Sequence, residues 1–181
     1  MVCQFALIAC LSSVGIGDDS LHSEYRLKAN FLAMSPNFVE WPAETTNSLT
    51  KPFFLCVYGD FAFGTTLAEM TRTTSFHGSR VEVKWVRKEP DLRACDLVFV
   101  SRSEEKRYAH ILQTLWGTFI LTVGESPGFL EAGGIINLEV RDAKLHFDVN
   151  LEAAEAAHLK LSARLLTLAR RVIGSAQAFR G

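Results

Sequence analysis

The feature that most constrains this fold is a series of short segments that are apolar on both faces. They are Phe53-Phe54-Leu55-Cys56-Val57-Tyr58, Leu97-Val98-Phe99-Val100 and Phe119-Ile120-Leu121-Thr122-Val123. A strand with one wet face alternates apolar and polar residues, and these do not. Helical or loop sequence separates them: Thr65–Thr71 in one gap, and a helix from Ser103 through Leu115 in another, with Tyr108, Ile111, Leu112 and Leu115 on one side. Val81–Val86 adds a further strand that alternates at its start. Strands and helices in this order predict a parallel sheet covered on both sides.

The flanking sequence adds three elements. Leu27, Phe31, Met34 and Phe38 recur at helical spacing, with Ser23 as N-cap. Pro36 lacks an amide hydrogen and should end or kink that helix near Met34 or Ser35. Ile135–Val140 and Lys144–Val149, joined by Arg141-Asp142-Ala143, read as a β-hairpin extending the sheet edge. Asn150 then caps a long final helix carrying Leu151, Ala154, Ala157, Leu161, Leu165, Leu168 and Val172 on one stripe. Arg170-Arg171 suit its C-terminus and Gly174 stops it. The expected fold is a single α/β domain: a mostly parallel sheet flanked by helices, a C-terminal hairpin and a long final helix.

The 181 residues are 48% hydrophobic and carry a net charge of −1, which excludes a disordered chain and gives no electrostatic footprint for nucleic acid. No run of 18 apolar residues calls for a membrane span. Val2 to Leu11 is an almost unbroken apolar run, followed by small residues and then Asp18-Asp19. That is the outline of a secretory leader over residues 1–17, with the domain at 18–181. No Lys or Arg precedes the run, as a start placed too far downstream would leave it. Leu7-Ile8-Ala9-Cys10 also matches a lipoprotein box, which would put a lipid on Cys10.

Loss of the leader removes Cys3 and Cys10 and leaves Cys56 and Cys95. In an oxidising compartment the pair reads as one disulfide closing a loop of about 40 residues, worth roughly 4 kcal/mol on the chain-entropy model. In the cytosol it reads as two buried free thiols. The spacing is not that of a CxxC redox motif, and Cys56 lies in mid-strand, which predicts a slow thiol rather than an oxidoreductase.

Motifs for chemistry are sparse. There is no GxGxxG, Walker loop, HExxH or GxSxG, and the five histidines stand at no ligand spacing. No metal, cofactor or catalytic residue is expected. Gly133-Gly134 reads as a turn permitting positive φ. Asp60, Ser101 and Gly124 fall at carboxyl ends of parallel strands, where open α/β sheets bind ligands. A small-ligand sensor or carrier using that crevice is the alternative to a protein-binding role. Lys160, Arg164 and Arg171 form a basic stripe that reads as a solvated helix face. Trp41, Phe129, Phe147, His158, Lys160 and Arg164 are the candidates for contact with a partner or ligand.

The ordered blocks Tyr25-Arg26-Leu27-Lys28-Ala29, Phe38-Val39-Glu40-Trp41-Pro42, Leu55–Asp60 with Phe63-Gly64, Cys95–Ser101, Leu121-Thr122-Val123, Phe129, Gly133–Ile136, Phe147–Asn150 and Leu161–Leu166 resemble the YfiR family of secreted bacterial proteins. The resemblance spans roughly residues 24–173. It implies a periplasmic α/β protein, often a homodimer, without enzymatic activity. It implies repression of a membrane diguanylate cyclase (YfiN-like) and release by an outer-membrane OmpA-like lipoprotein (YfiB-like), which lowers or restores cyclic-di-GMP and so governs biofilm formation. It places a disulfide at Cys56 and Cys95. Two departures stand out: Pro36 interrupts the first helix, and a second cysteine pair is missing.

Overall fold

The computed structural model describes residues 16–43, 51–60 and 63–174. The expected leader lies outside them except for Ile16 and Gly17, which begin the first helix, and Cys3 and Cys10 lie outside as well.

Chain order is α1 (Ile16–Met34), β1 (Val39–Glu40), β2 (Phe53–Tyr58), α2 (Thr66–Thr71), β3 (Ser75–Phe76), β4 (Ser79–Val86), β5 (Leu97–Val100), α3 (Tyr108–Leu115), β6 (Leu121–Gly124), β7 (Ile136–Arg141), β8 (Lys144–Asn150), α4 (Leu151–Ala156), β9 (Lys160–Leu161), α5 (Ala163–Leu168) and β10 (Arg171–Ile173). Among the described residues, eight strands form one sheet in the order β10-β8-β7-β6-β5-β2-β4-β3, and β1 with β9 forms a two-stranded ribbon. β4, β2, β5, β6 and β7 run parallel, so the mostly parallel single-domain sheet read from the apolar runs is present.

Both faces of that sheet are buried, and the side chains alternate between them. Leu55, Val57, Leu97 and Phe99 pack against α1, α2 and α4 on one face; Cys56, Tyr58, Val98 and Val100 pack against α3 and the 3-10 turn Glu89–Ala94 on the other. The second face holds the Cys56–Cys95 disulfide, with Cα atoms 6.0 Å apart. It ties β2 to the residue that leads into β5.

Three expectations need correction. First, α1 starts at Ile16, so Ser23 is not its N-cap, and its inward face is turned about one residue from the predicted stripe. Tyr25, Lys28, Ala29, Leu32 and Ala33 are buried, while Met34 is 51% exposed. A lysine on the inward face hides the true phase from a hydropathy reading. The helix does end at Met34, before the turn that contains Pro36.

Second, the long final helix is broken. α4 stops after one and a half turns in a Schellman motif: the His158 amide donates to Glu155 O and the Leu159 amide to Ala154 O, both at 2.9 Å. His158 takes the left-handed position (φ +56°), a role glycine usually fills, so the sequence carries no obvious stop. The chain then pairs β9 with β1, and Ser162 caps α5 by accepting the Leu165 amide at 3.2 Å. Lys160, Arg164 and Arg171 therefore sit on three different elements and make no helical stripe.

Third, the hairpin does not end the sheet. The tight turn at Asp142-Ala143 (φ +52° and +55°) joins β7 to antiparallel β8, but β10 adds beyond β8 in parallel. Asp148 fastens it: Arg170 Nε and Nη2 donate to the carboxylate at 2.9 and 2.8 Å, and Arg171 Nε at 3.3 Å. Arg170-Arg171 thus serve this carboxylate, not a helix terminus. The bonds from Arg170 come first in holding the Asp148 carboxyl below its ordinary range.

Candidate functional site

The carboxyl ends of β2, β5 and β6 are the place where such sheets bind ligands. Asp60, Ser101 and Gly124 do lie at those ends, yet the space there is filled by the protein's own side chains. The Asp60 amide donates to Ser103 Oγ at 3.0 Å. The ring of Phe129, fully buried, lies against Gly124 and Gly134 so closely that a Cβ on either would come within 2.3 Å of its carbons. Gly133 has φ +100°, the positive turn expected of the pair, whereas Gly134 admits the ring.

Behind this seal lies a charge network that the sequence reading did not single out. Glu125 directly follows β6 and its side chain is wholly buried. It accepts from Tyr25 Oη at 3.0 Å, Lys28 Nζ at 2.5 Å, the Arg102 amide at 2.9 Å and Arg102 Nη2 at 3.4 Å. Lys28, 1% exposed, also meets Glu24, and Arg102 reaches Glu24 at 2.6 Å. Burial pushes the Glu125 carboxyl up; the Lys28 ammonium, its hydrogen bond and the Arg102 amide outweigh this and hold it below its ordinary value. Burial, then the Glu125 charge, raises the Tyr25 hydroxyl. A buried carboxylate with all its lone pairs engaged is stable and has no free valence for a ligand. The network pins α1 to the ends of β5 and β6. Its only trace in the sequence was Tyr25 and Lys28 at i,i+3, read there as a family block.

The six contact candidates divide evenly. Trp41, Phe129 and Phe147 are buried at 8%, 0% and 7% exposure, so they pack the interior and are not available as anchors. Trp41 stacks edge-on with Phe53 and Phe76, and Phe147 meets Phe31. His158, Lys160 and Arg164 are exposed. The His158 ring lies 5.5 Å from that of Phe119, and Arg164 sits 5.7 Å from the Phe38 ring. The structure adds two aromatics that were missed: Trp116, 54% exposed, and Phe119, 37% exposed. Both follow α3, where its apolar stripe has ended, so the pattern gave Trp116 no inward or outward assignment. Trp41 Nε1 donates to Phe119 O at 2.9 Å and braces this turn from beneath. Trp116 also borders a shallow cleft with Leu115, Ile120, Gly133, Ala153 and Ala157. Among the described residues no cluster of three or more His, Cys, Asp or Glu could hold a metal ion.

Comparison with solved structures shows the fold. The ABC domain from Streptococcus pneumoniae, solved in complex with L-Trp, matches with a TM-score of 0.52 at 11% identity over 84% of this chain. A conserved domain protein from Vibrio cholerae O1 biovar El Tor matches with a TM-score of 0.47 at 13% identity over 74% of this chain. The chain spans 60% of the length of each. A family model described as YfiR/HmsC-like matches residues 25–170, which runs from within α1 through α5. The chain therefore belongs to the YfiR/HmsC-like family, whose members are periplasmic regulators of YfiN-type signalling.

Proposed function

We propose that this protein is a periplasmic repressor that binds the periplasmic part of an inner-membrane diguanylate cyclase of YfiN type, lowers cyclic-di-GMP and restrains biofilm formation. An OmpA-like outer-membrane lipoprotein would relieve the repression by capturing the repressor. Family membership supplies the system; the observation that carries the binding mode is the exposed aromatic turn Trp116–Phe119 beside His158. Large aromatic side chains exposed on a braced turn have the composition of interface anchors, because they bury much area at little entropy cost. The turn is held at both ends: Trp41 Nε1 donates to Phe119 O, and the Trp116 ring lies over Gly133. The protein acts by contact, without catalysis.

A carrier of small molecules is the weaker reading. The S. pneumoniae neighbour binds L-Trp. Here Phe129, Ser103 and Glu125 occupy the strand ends where a ligand would sit.

The test is capture of the cyclase's periplasmic domain by the purified, oxidised protein, together with cyclic-di-GMP levels in cells. Wild type should bind and lower the nucleotide. Trp116→Ala/Phe119→Ala should lose both while remaining folded, as a single cooperative unfolding transition well above the assay temperature would show. Unchanged capture by that variant would remove the aromatic turn from the interface, and no capture by wild type would remove the proposed function.

A further inference from the structure

The segment that joins β4 to β5 builds a second surface, separate from the aromatic turn. A groove of about 620 Å³ runs between the end of β4 and the 3-10 turn Glu89–Ala94. Its lining carries three cations, Lys84, Arg87 and Lys88, against one carboxylate, Asp91, on a chain whose net charge is −1. Val86, Ala94 and Cys95 give it apolar surface. None of its residues borders the cleft beside Trp116.

The walls are fixed before a ligand arrives. The disulfide ties Cys95, which follows the turn, to β2. Arg93 Nη2 donates to Thr114 O at 2.7 Å, and Glu89 meets Arg107 and, at 3.1 Å, His110, so the turn is fastened to α3. The Phe54 ring holds the Lys84 ammonium 3.1 Å from its centroid, and Lys51 brings a second ammonium within 5.8 Å of the same ring. Asp96, whose charge acts on both lysines, gives its Oδ2 to the Phe54 amide at 2.7 Å. Among the described residues Lys51, Lys84 and Lys88 are exposed and form no salt bridge. Exposed ammonium groups above a rigid apolar floor attract anions and cost little to order.

We propose that this groove binds an acidic segment of a partner protein in extended conformation. Spacing decides the kind of ligand. Lys84 lies in β4, and Lys88 keeps extended backbone at φ −120° and ψ 131°. The alternation of an extended chain puts Lys84, Val86 and Lys88 on one side, with the two lysines about 13 Å apart. A peptide laid alongside presents its own side chains with the same period. Carboxylates at its positions i and i+4 then meet Lys84 and Lys88, and an apolar residue at i+2 covers Val86. A polymer of sugar acids offers the charges without the apolar group between them. The groove does not depend on the cyclase-binding reading, because it shares no residue with the aromatic turn.

Fluorescence anisotropy with the labelled peptide Glu-Ser-Leu-Ser-Glu, titrated with the oxidised protein at low ionic strength, tests it. Wild type should bind saturably, more weakly as salt rises. It should bind the shuffled peptide Glu-Glu-Ser-Ser-Leu and oligogalacturonate several-fold less well. Lys84→Glu/Lys88→Glu should weaken binding roughly tenfold or more, and Lys84→Gln/Lys88→Gln should weaken it less. Lys106→Glu/Lys144→Glu makes the same change in net charge away from the groove and should bind like wild type. Trp116→Ala/Phe119→Ala should also bind the peptide unchanged, whatever its effect on cyclase capture. Absence of saturable binding to wild type overturns the proposal. So does equal weakening by the two Lys→Glu pairs, equal binding of the shuffled peptide, or tighter binding of oligogalacturonate, which would make the groove a glycan site.

Discussion

Glu125→Ala is the most informative single substitution. It removes the acceptor of four hydrogen bonds, leaving the Tyr25 hydroxyl and the Arg102 amide without their carboxylate partner. Lys28 would keep one carboxylate, Glu24, whose side chain is 22% exposed. Breaking a buried ion pair by deleting one partner costs about 3–5 kcal/mol, and the surviving Glu24 contact places this case near about 3. For a chain of this size that is a fall of roughly 6–12 °C in Tm. Urea unfolding of the oxidised protein measures it, with the midpoint lowered and the slope unchanged. The paired variant Lys28→Met/Glu125→Gln removes the buried charge of both groups, and the Gln carbonyl still accepts from Tyr25 and Arg102. It should recover at least half the loss, because the uncompensated charge is the costly part. A loss under about 1 kcal/mol for Glu125→Ala, or a double variant as unstable as the single one, would refute the claim that this network holds α1 to the strand ends.

Four further outcomes are expected. Stability should fall in acid: Glu125, Glu139 and Asp148 titrate below their unfolded values of 4.5, 4.5 and 3.8, so their contribution is complete above those values and is lost as pH drops through the folded ones. Asp96, raised chiefly by burial, works in the opposite sense and offsets part of this, so a urea midpoint that stays flat from pH 6 to pH 3 would contradict the assignment. Gly124→Ala should cost about 1–3 kcal/mol by driving a methyl group into the Phe129 ring, measured by the same unfolding curve. Cys56→Ala/Cys95→Ala should lose about 4 kcal/mol, the chain-entropy value for a separation of 39 residues, and a reductant should not destabilise that variant further. Trp116→Ala/Phe119→Ala should cost about 1–3 kcal/mol and leave the chain folded, since each ring is only partly buried and belongs to neither core cluster, and a loss above about 4 kcal/mol in the same unfolding curve would make them core residues.

The parallel sheet was legible because its evidence is local: Leu55–Tyr58 and Leu97–Val100 have no polar face to offer water, so both sides must be covered. The helix end at Pro36 and the hairpin turn were legible for the same reason, each being a property of a few adjacent residues. Exposure was legible only in part: of the candidates, His158, Lys160 and Arg164 are exposed and Trp41, Phe129 and Phe147 are not, while the exposed Trp116 and Phe119 carry no signal of it in the linear pattern. What the linear order leaves open is which groups meet across it. Lys28 looks like a surface residue until Glu125, 97 positions away, supplies the charge that lets it turn inward and rotates α1 with it. His158 reads as one more position on a helix until backbone bonds from Glu155 and Ala154 close that helix behind it. Charge burial and helix termination without glycine both depend on partners brought together by folding, and only the tertiary structure decides them.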